Sequence, residues 1–228
     1  MGALLISTIA VVAVAIAVLG GTGSHELKPG KPVPGAQATL ALLEGIPQQG
    51  IDLGSPQAPV TLVEFGDLQC PQCAQFAQNA LPALIARYVR PGRVRLQFRT
   101  LDSIGNDSLR AARMAGALGE QNHLWEFTDL MYKNQAAENS GYVSDTYLRA
   151  LAGAIPGANI NQALAQRTSP TVQAQIAQAQ RLARQWHVQG TPAFLLESSG
   201  RPTQVLSPAS PSSASSFTGS LDHALAGG

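Results

Sequence analysis

The apolar and polar positions of the chain fall into blocks with different periods. Residues 3–19 (ALLISTIAVVAVAIAVL) form an apolar run without a charge that continues uncharged to Ser24, which reaches the length of about 17–25 residues needed to cross a bilayer. A cleaved secretory signal carries a basic start, a shorter apolar run and a small-residue cleavage site, whereas here the α-amine is the only N-terminal positive charge. Residues 1–24 therefore read as an uncleaved transmembrane anchor, with a signal segment as the alternative. Lys28 and Lys31 by themselves would hold the far end in the cytoplasm, so the side on which the rest lies has to be decided by chemistry. Residues 20–35 carry Gly, Pro and Lys without apolar periodicity and read as a flexible tether. The linker is placed at 25–49 and the folded domain at 50–228.

Within the domain, residues 59–65 (PVTLVEF) are apolar or β-branched at nearly every position, as in a strand covered on both faces, with Gly66 and Asp67 ending it. Residues 71–89 place Phe76, Ala77, Ala80, Leu84, Ile85 and Tyr88 at helical spacing, with a kink expected at Pro82. Residues 93–99 alternate strictly, putting Val94, Leu96 and Phe98 on one face of a half-buried strand. The order strand, helix, strand predicts a right-handed β-α-β crossover. From about 107 to 187 only helical spacing appears, at 108–118, 124–133, 145–151, 159–165 and 170–186. Asp107 and Ser144 are expected as N-caps, and Ser169 is followed by Pro170 at the first helical position. Strand character resumes at 192–196, residues 203–206 can pair back as a hairpin, and 221–225 suggest a closing helix. The intervening SPASPSSASS (207–216) reads as a mobile surface loop.

Composition narrows the function. Charged residues make up only 13% of the 228, about half the usual quarter of a soluble domain, consistent with part of the chain lying in lipid. The net charge of +1 argues against the basic footprint of a nucleic-acid binder. The two cysteines, Cys70 and Cys73, form the motif Cys70-Pro71-Gln72-Cys73 directly after a buried strand and at the start of a helix. Unpaired N–H groups and the positive end of the helix dipole there stabilise a thiolate at Cys70, the nucleophile of thiol-disulfide exchange. Stabilising the thiolate favours the reduced pair and makes the disulfide a stronger oxidant. Cys73, one turn on, can close or resolve a disulfide with Cys70, and Pro71 stiffens the turn without losing a needed N–H. A zinc site would need two further ligands from His25, His123, His187 and His223, none of which has paired ligand spacing. An inert structural disulfide closing so short a loop would add little stability. Redox chemistry is the favoured reading, and it places the domain outside the reducing cytosol.

The run from Leu53 through Glu64 to Cys73, together with Val188-Gln189-Gly190-Thr191-Pro192-Ala193-Phe194, closely resembles the DsbA-like family of thioredoxin-fold thiol-disulfide oxidoreductases over about residues 50–200. The resemblance implies an α/β thioredoxin fold with an inserted all-α subdomain (about 104–187), and the apolar run at the start of the chain adds one N-terminal transmembrane helix before it. It implies that Thr191-Pro192 is a cis-proline dipeptide facing the cysteines, where the Thr191 backbone pairs with substrate; a trans proline opening an edge strand is the alternative. Glu64, six residues before Cys70, matches an acidic position beneath the family's active site. It reads either as a proton acceptor for Cys73 or as a paired structural acid. Asp67 reads as a solvated turn residue, near enough to raise the Cys70 thiol slightly. Gln72 stands where strong oxidants of the family often carry His, and brings no charge, which predicts a less oxidising couple. Trp125, Phe127, Trp186, Tyr88, His123 and His187 read as packing residues.

These features together predict a membrane-tethered extracytoplasmic thiol-disulfide oxidoreductase acting on exported cysteine-containing proteins, a monomer without cofactor or metal. A DsbB- or VKOR-like membrane partner would reoxidise it. A reductase or isomerase kept reduced by a transmembrane donor, and a non-catalytic membrane-tethered binding module, are the alternatives.

Overall fold

The computed structural model describes residues 27–227. The segment expected as an anchor, residues 1–24, lies outside the described residues; among these, no helix is long and apolar enough to cross a membrane.

A six-stranded mixed sheet, in the order β1-β2-β4-β3-β5-β6, forms the centre. Its strands are β1 (Gln48–Gln49), β2 (Asp52–Leu53), β3 (Val60–Asp67), β4 (Val94–Leu101), β5 (Ala193–Ser198) and β6 (Gln204–Leu206). Strands β3 and β4 run parallel, as the predicted crossover requires, while β5 lies antiparallel to β3 and β6 antiparallel to β5. All eight residues of β3 are buried. Because side chains alternate across a strand, Val63 and Phe65 join Ala179 and Ala183 of helix α8 (Pro170–Gln185) in one apolar cluster, and Leu62 belongs to the main core on the opposite face. Glu64, at an even position like Leu62, points into that main core.

Between β3 and β4 the chain is helical from Pro71 to Val89 but not uniformly α. Helix α2 (Pro71–Gln75) and helix α3 (Leu81–Leu84) are each followed by a π turn, at Phe76–Ala80 and Ile85–Val89. The irregularity expected at Pro82 takes this form: Leu81 N–H reaches back to Phe76 O, five residues away, in the turn preceding the ring that has no N–H to give. Phe76 packs on Phe194 and Phe217, with ring centroids 4.8 and 5.5 Å away, which ties this helix to β5 and to helix α9 (Ser215–Ala226).

Helices α4 (Asn106–Gly119), α5 (Leu124–Lys133), α6 (Asp145–Gly153), α7 (Ile160–Gln166) and α8 make up the helical insertion between β4 and β5. Ser144 and Ser169 cap α6 and α8 as expected, accepting from Tyr147 N and Val172 N. Asp107 is not an N-cap. Gly105 takes that position, and Asp107 is buried inside the first turn of α4, where its carboxylate accepts the Gly141 N–H at 2.7 Å. Two further departures concern the ends of the chain. The stretch expected as linker contains helix α1 (Ala36–Leu43), which packs on α5. The serine-rich segment is held by its own hydroxyls, with Ser210 N donating to Ser216 Oγ, and it runs into α9 from Ser215, six residues before the expected start.

Candidate functional site

The strand-to-helix turn after β3 places the two cysteines. Cys70 is itself the N-cap of α2, in extended conformation, with Pro71 at the first helical position. Its sulfur accepts the Cys73 N–H at 3.4 Å. The Thr191-Pro192 peptide bond is cis, and the Thr191 carbonyl lies 3.2 Å from the Cys70 sulfur, which donates to it as a thiol. Sequence elements 121 residues apart thus meet at one atom. Both thiols are free, Cys70 at 6% exposure and Cys73 fully buried. Pro71 and Gln72 are exposed beside them.

One turn of helix gives the two sulfurs opposite chemistry. Hydrogen bonding from the Cys73 thiol is the largest influence on Cys70. It outweighs burial, is helped by Thr191 and by the Cys73 and Gln72 N–H groups, and lowers the thiol from 9.0 to about 6. Cys70 is therefore mostly thiolate at neutral pH. Cys73 is pushed well above 9.0, first by burial, then by its hydrogen bond to Cys70 and by the charges of Glu64 and Cys70.

Glu64 sits beneath the pair on β3, between its register partners Phe98 and Phe194. Burial, and after it the charge of Cys70, raises its carboxyl from 4.5 to about 8, and Oε1 has no hydrogen-bond partner. Glu64 is therefore largely protonated at neutral pH, not the acid of a structural ion pair.

Asp67 overturns its expected role. It is fully buried and accepts four hydrogen bonds, from Gln69 N (2.9 Å), Ser103 Oγ (3.2 Å), Ile104 N (3.1 Å) and Ser108 Oγ (2.6 Å). Asp67 is not among the groups that shift Cys70. Gln69 extends this network, donating to Ser108 Oγ and accepting from Asn139 N, while Gln135 Nε2 donates to the carbonyls of Leu68 and Cys70. The turn carrying Cys70 is thus clamped from the helical insertion.

Tyr132 of α5 is a site residue that sequence reasoning missed. Its hydroxyl donates to Asp67 O at 3.4 Å, and burial, with the charges of Cys73, Glu64 and Cys70 after it, keeps it protonated far above its ordinary range. Gly66 makes room for it, since a Cβ there would meet the Tyr132 hydroxyl at 2.9 Å and the Phe98 ring at 2.6 Å. Trp125, Phe127 and Tyr88 are buried as expected. Among the described residues no group of three His, Cys, Asp or Glu is placed to hold a metal ion, and His25 lies outside them.

A thioredoxin fold whose helix opens on an ionised cysteine, with a protonated one a turn behind, defines a thiol-disulfide oxidoreductase. The chain belongs to the thioredoxin family, whose model matches residues 47–205. It is 31% identical over 144 residues to a probable disulfide bond formation protein D of Bacillus cereus, covering 62% of this chain and 67% of that protein. Two crystal structures share the fold. Oxidised BdbD from Bacillus subtilis matches with a TM-score of 0.68 and 21% identity, over 79% of this chain and 97% of that one. The alpha-DsbA1 of Wolbachia pipientis matches with a TM-score of 0.65 and 18% identity, over 81% and 93%.

Proposed function

We propose that this enzyme introduces disulfides into exported proteins from a tether in the cell membrane, with Cys70 as the exchanging sulfur and Cys73 as its resolving partner. The observation that carries this reading is the contrast between the two thiols: Cys70 is lowered to about 6 while Cys73 is held well above 9.0. A stable Cys70 thiolate favours the reduced pair and therefore makes the oxidised pair an electron acceptor.

In the oxidising direction, a substrate thiolate attacks Cys70 Sγ of the Cys70–Cys73 disulfide. The sulfur–sulfur bond breaks, Cys73 leaves with the electron pair, and the Glu64 carboxyl gives it a proton. A second substrate thiolate then attacks the substrate sulfur of the mixed disulfide and Cys70 departs as a thiolate. The substrate has lost two electrons and the cysteine pair has gained them. The Thr191 backbone, already within hydrogen-bond distance of Cys70, is the natural partner for an extended substrate segment laid across the site. Gln72 brings no charge to the thiolate, so the couple is less oxidising than one with a cation at that position.

The uncharged apolar run within residues 1–24 supports the tether, and a redox-active cysteine pair, which the cytosol would hold reduced, supports a location outside it. A membrane oxidoreductase of the DsbB or VKOR kind would take the two electrons from the reduced pair. The test is catalysed oxidation of a reduced, cysteine-containing test protein by the oxidised enzyme with a regenerating oxidant, beside alkylation trapping of Cys70 and Cys73 in cells. Turnover and a pair trapped as disulfide are expected. No turnover, or a pair trapped as thiols, would reject the oxidative role, the second result favouring a reductase.

A further inference from the structure

Beneath the active site Glu64 also belongs to a second polar cluster, with Thr128 and Asp129 of α5, which the exchange steps above do not use. A cavity of about 10 Å³ is bounded by Glu64 of β3, Thr128, Asp129 and Tyr132 of α5, and Leu43 of α1, which is about the smallest space that holds one water. Three buried polar atoms of residues lining it have no hydrogen-bond partner in the protein: Glu64 Oε1, Thr128 Oγ1 and Asp129 Oδ1. A buried polar atom left so is costly. A water with two to four polar neighbours is the usual remedy for such a cluster.

Asp129 connects this cluster to a partly exposed residue. Asp129 Oδ2 accepts from Thr39 of α1 and is paired with Lys133. Asp129 is 4% exposed in its side chain and Lys133 20%, so the pair spans from the interior to solvent. Helix α1 packs over this pair. The Lys133 stem runs so close under Gly35 that a Cβ there would collide with it, and Asn134 Nδ2 donates to Pro34 O. At the other end of α1, Arg90 donates to the carbonyls of Ala41, Leu42 and Glu44. The ionisable groups around Glu64 are Cys70 and Cys73 from α2 and Asp129, Tyr132 and Lys133 from α5. Its strand neighbours, Phe98 and Phe194, and α1, through Thr39, add no charge.

We infer that one water occupies this cavity, bridging Glu64 Oε1 to Thr128 Oγ1 and Asp129 Oδ1, and that Asp129 is the outer group through which the Glu64 proton exchanges with solvent. This rests on the reading of Glu64 as the proton donor to Cys73. When Cys73 leaves as a thiolate and takes the Glu64 proton, a proton returns to Glu64 from solvent by way of Asp129 and the water. No bond other than those to hydrogen changes along the route. Asp129 is thus a positioning and proton-relay residue that touches neither sulfur.

The test is single-turnover reduction of the oxidised full chain by a cysteine-containing peptide, followed against pH and in heavy water, for Glu64→Gln, Asp129→Asn and Thr128→Val. Slowing by about tenfold is expected in Asp129→Asn, less in Thr128→Val, with a larger solvent isotope effect in both and no change in Cys70 thiolate titration. Wild-type rates and isotope effects in these two variants, with Glu64→Gln slow, would overturn the relay and leave the Glu64 role standing. A wild-type rate in Glu64→Gln would overturn the Glu64 role itself, and the relay with it. Should Asp129→Asn fail to fold, Thr128→Val decides by the same readouts. A high-resolution crystal structure with no water between Glu64 and Asp129 would also overturn the inference.

Discussion

Asp67 and Glu64 are carboxylates on the same buried strand, three residues apart, and the fold treats them in opposite ways. Asp67 is surrounded by donors from the strand-to-helix turn, the segment after β4 and the start of α4. Glu64 lies among Phe98, Phe194, Trp125 and Leu81 with one oxygen unpartnered, and burial raises its carboxyl to about 8. A carboxylate with its hydrogen bonds satisfied holds structure together, whereas one deprived of them holds a proton. Burial alone does not separate the two cases; the count of donors does.

Removing Asp67 should have the largest effect on stability. Asp67→Ala strands the donors of Gln69, Ser103, Ile104 and Ser108, those of Gln69 and Ser108 in the interior, and is expected to lower unfolding free energy by about 3–5 kcal/mol in chemical denaturation. Loss below about 1 kcal/mol would erase the distinction from Glu64. Glu64→Gln, by contrast, should leave stability nearly unchanged or raised at neutral pH. It should slow single-turnover release of Cys73 by about a hundredfold, the lower end for general acid catalysis.

The two oppositely shifted acids also predict a pH signature in the reduced protein. Glu64 keeps its proton in the folded state between 4.5 and about 8 while the unfolded chain loses it, so stability falls with rising pH across that window. Cys70 does the reverse between about 6 and 9.0, where the folded state has lost a proton that the unfolded chain keeps, so stability rises. Each slope is at most about 1.4 kcal/mol per pH unit. The net expectation is a decline from 4.5 to 6, a near plateau from 6 to 8, and a rise from 8 to 9. Denaturation midpoints of the reduced protein across this range check it, and Glu64→Gln should remove the initial decline. The smallest effect belongs to Ser108→Ala, which takes one donor from Asp67 and one acceptor from Gln69, and is expected to cost about 1 kcal/mol.

Much of this architecture was legible in the sequence because it rests on period. The alternation of Val94, Leu96 and Phe98, the unbroken apolar run of β3 and the spacing of α5 carry their own signal, and all three appear where expected. The site cysteines were legible because a Cys-x-x-Cys between a strand and a helix has few other uses. What escaped is what depends on distant neighbours. Asp67, following Gly66, has the local signature of a turn, and only the packing of α4 and the segment after β4 shows it to be buried. Tyr132 sits within an apolar helical stripe and becomes a site residue solely because Gly66 leaves space opposite. Helix α1 is short, and its docking depends on Thr39 meeting Asp129 and on Arg90 reaching its last carbonyls, contacts that no local pattern encodes. The two-residue strands β1 and β2 are too short to carry a period at all.

The central claim is that Cys70 is ionised at neutral pH while Cys73 stays protonated. Titrating the reduced enzyme by thiolate ultraviolet absorbance tests it directly. A single step is expected near pH 6, with the second sulfur silent until well above 9.0. Two thiols ionising together near 9.0 would contradict the account.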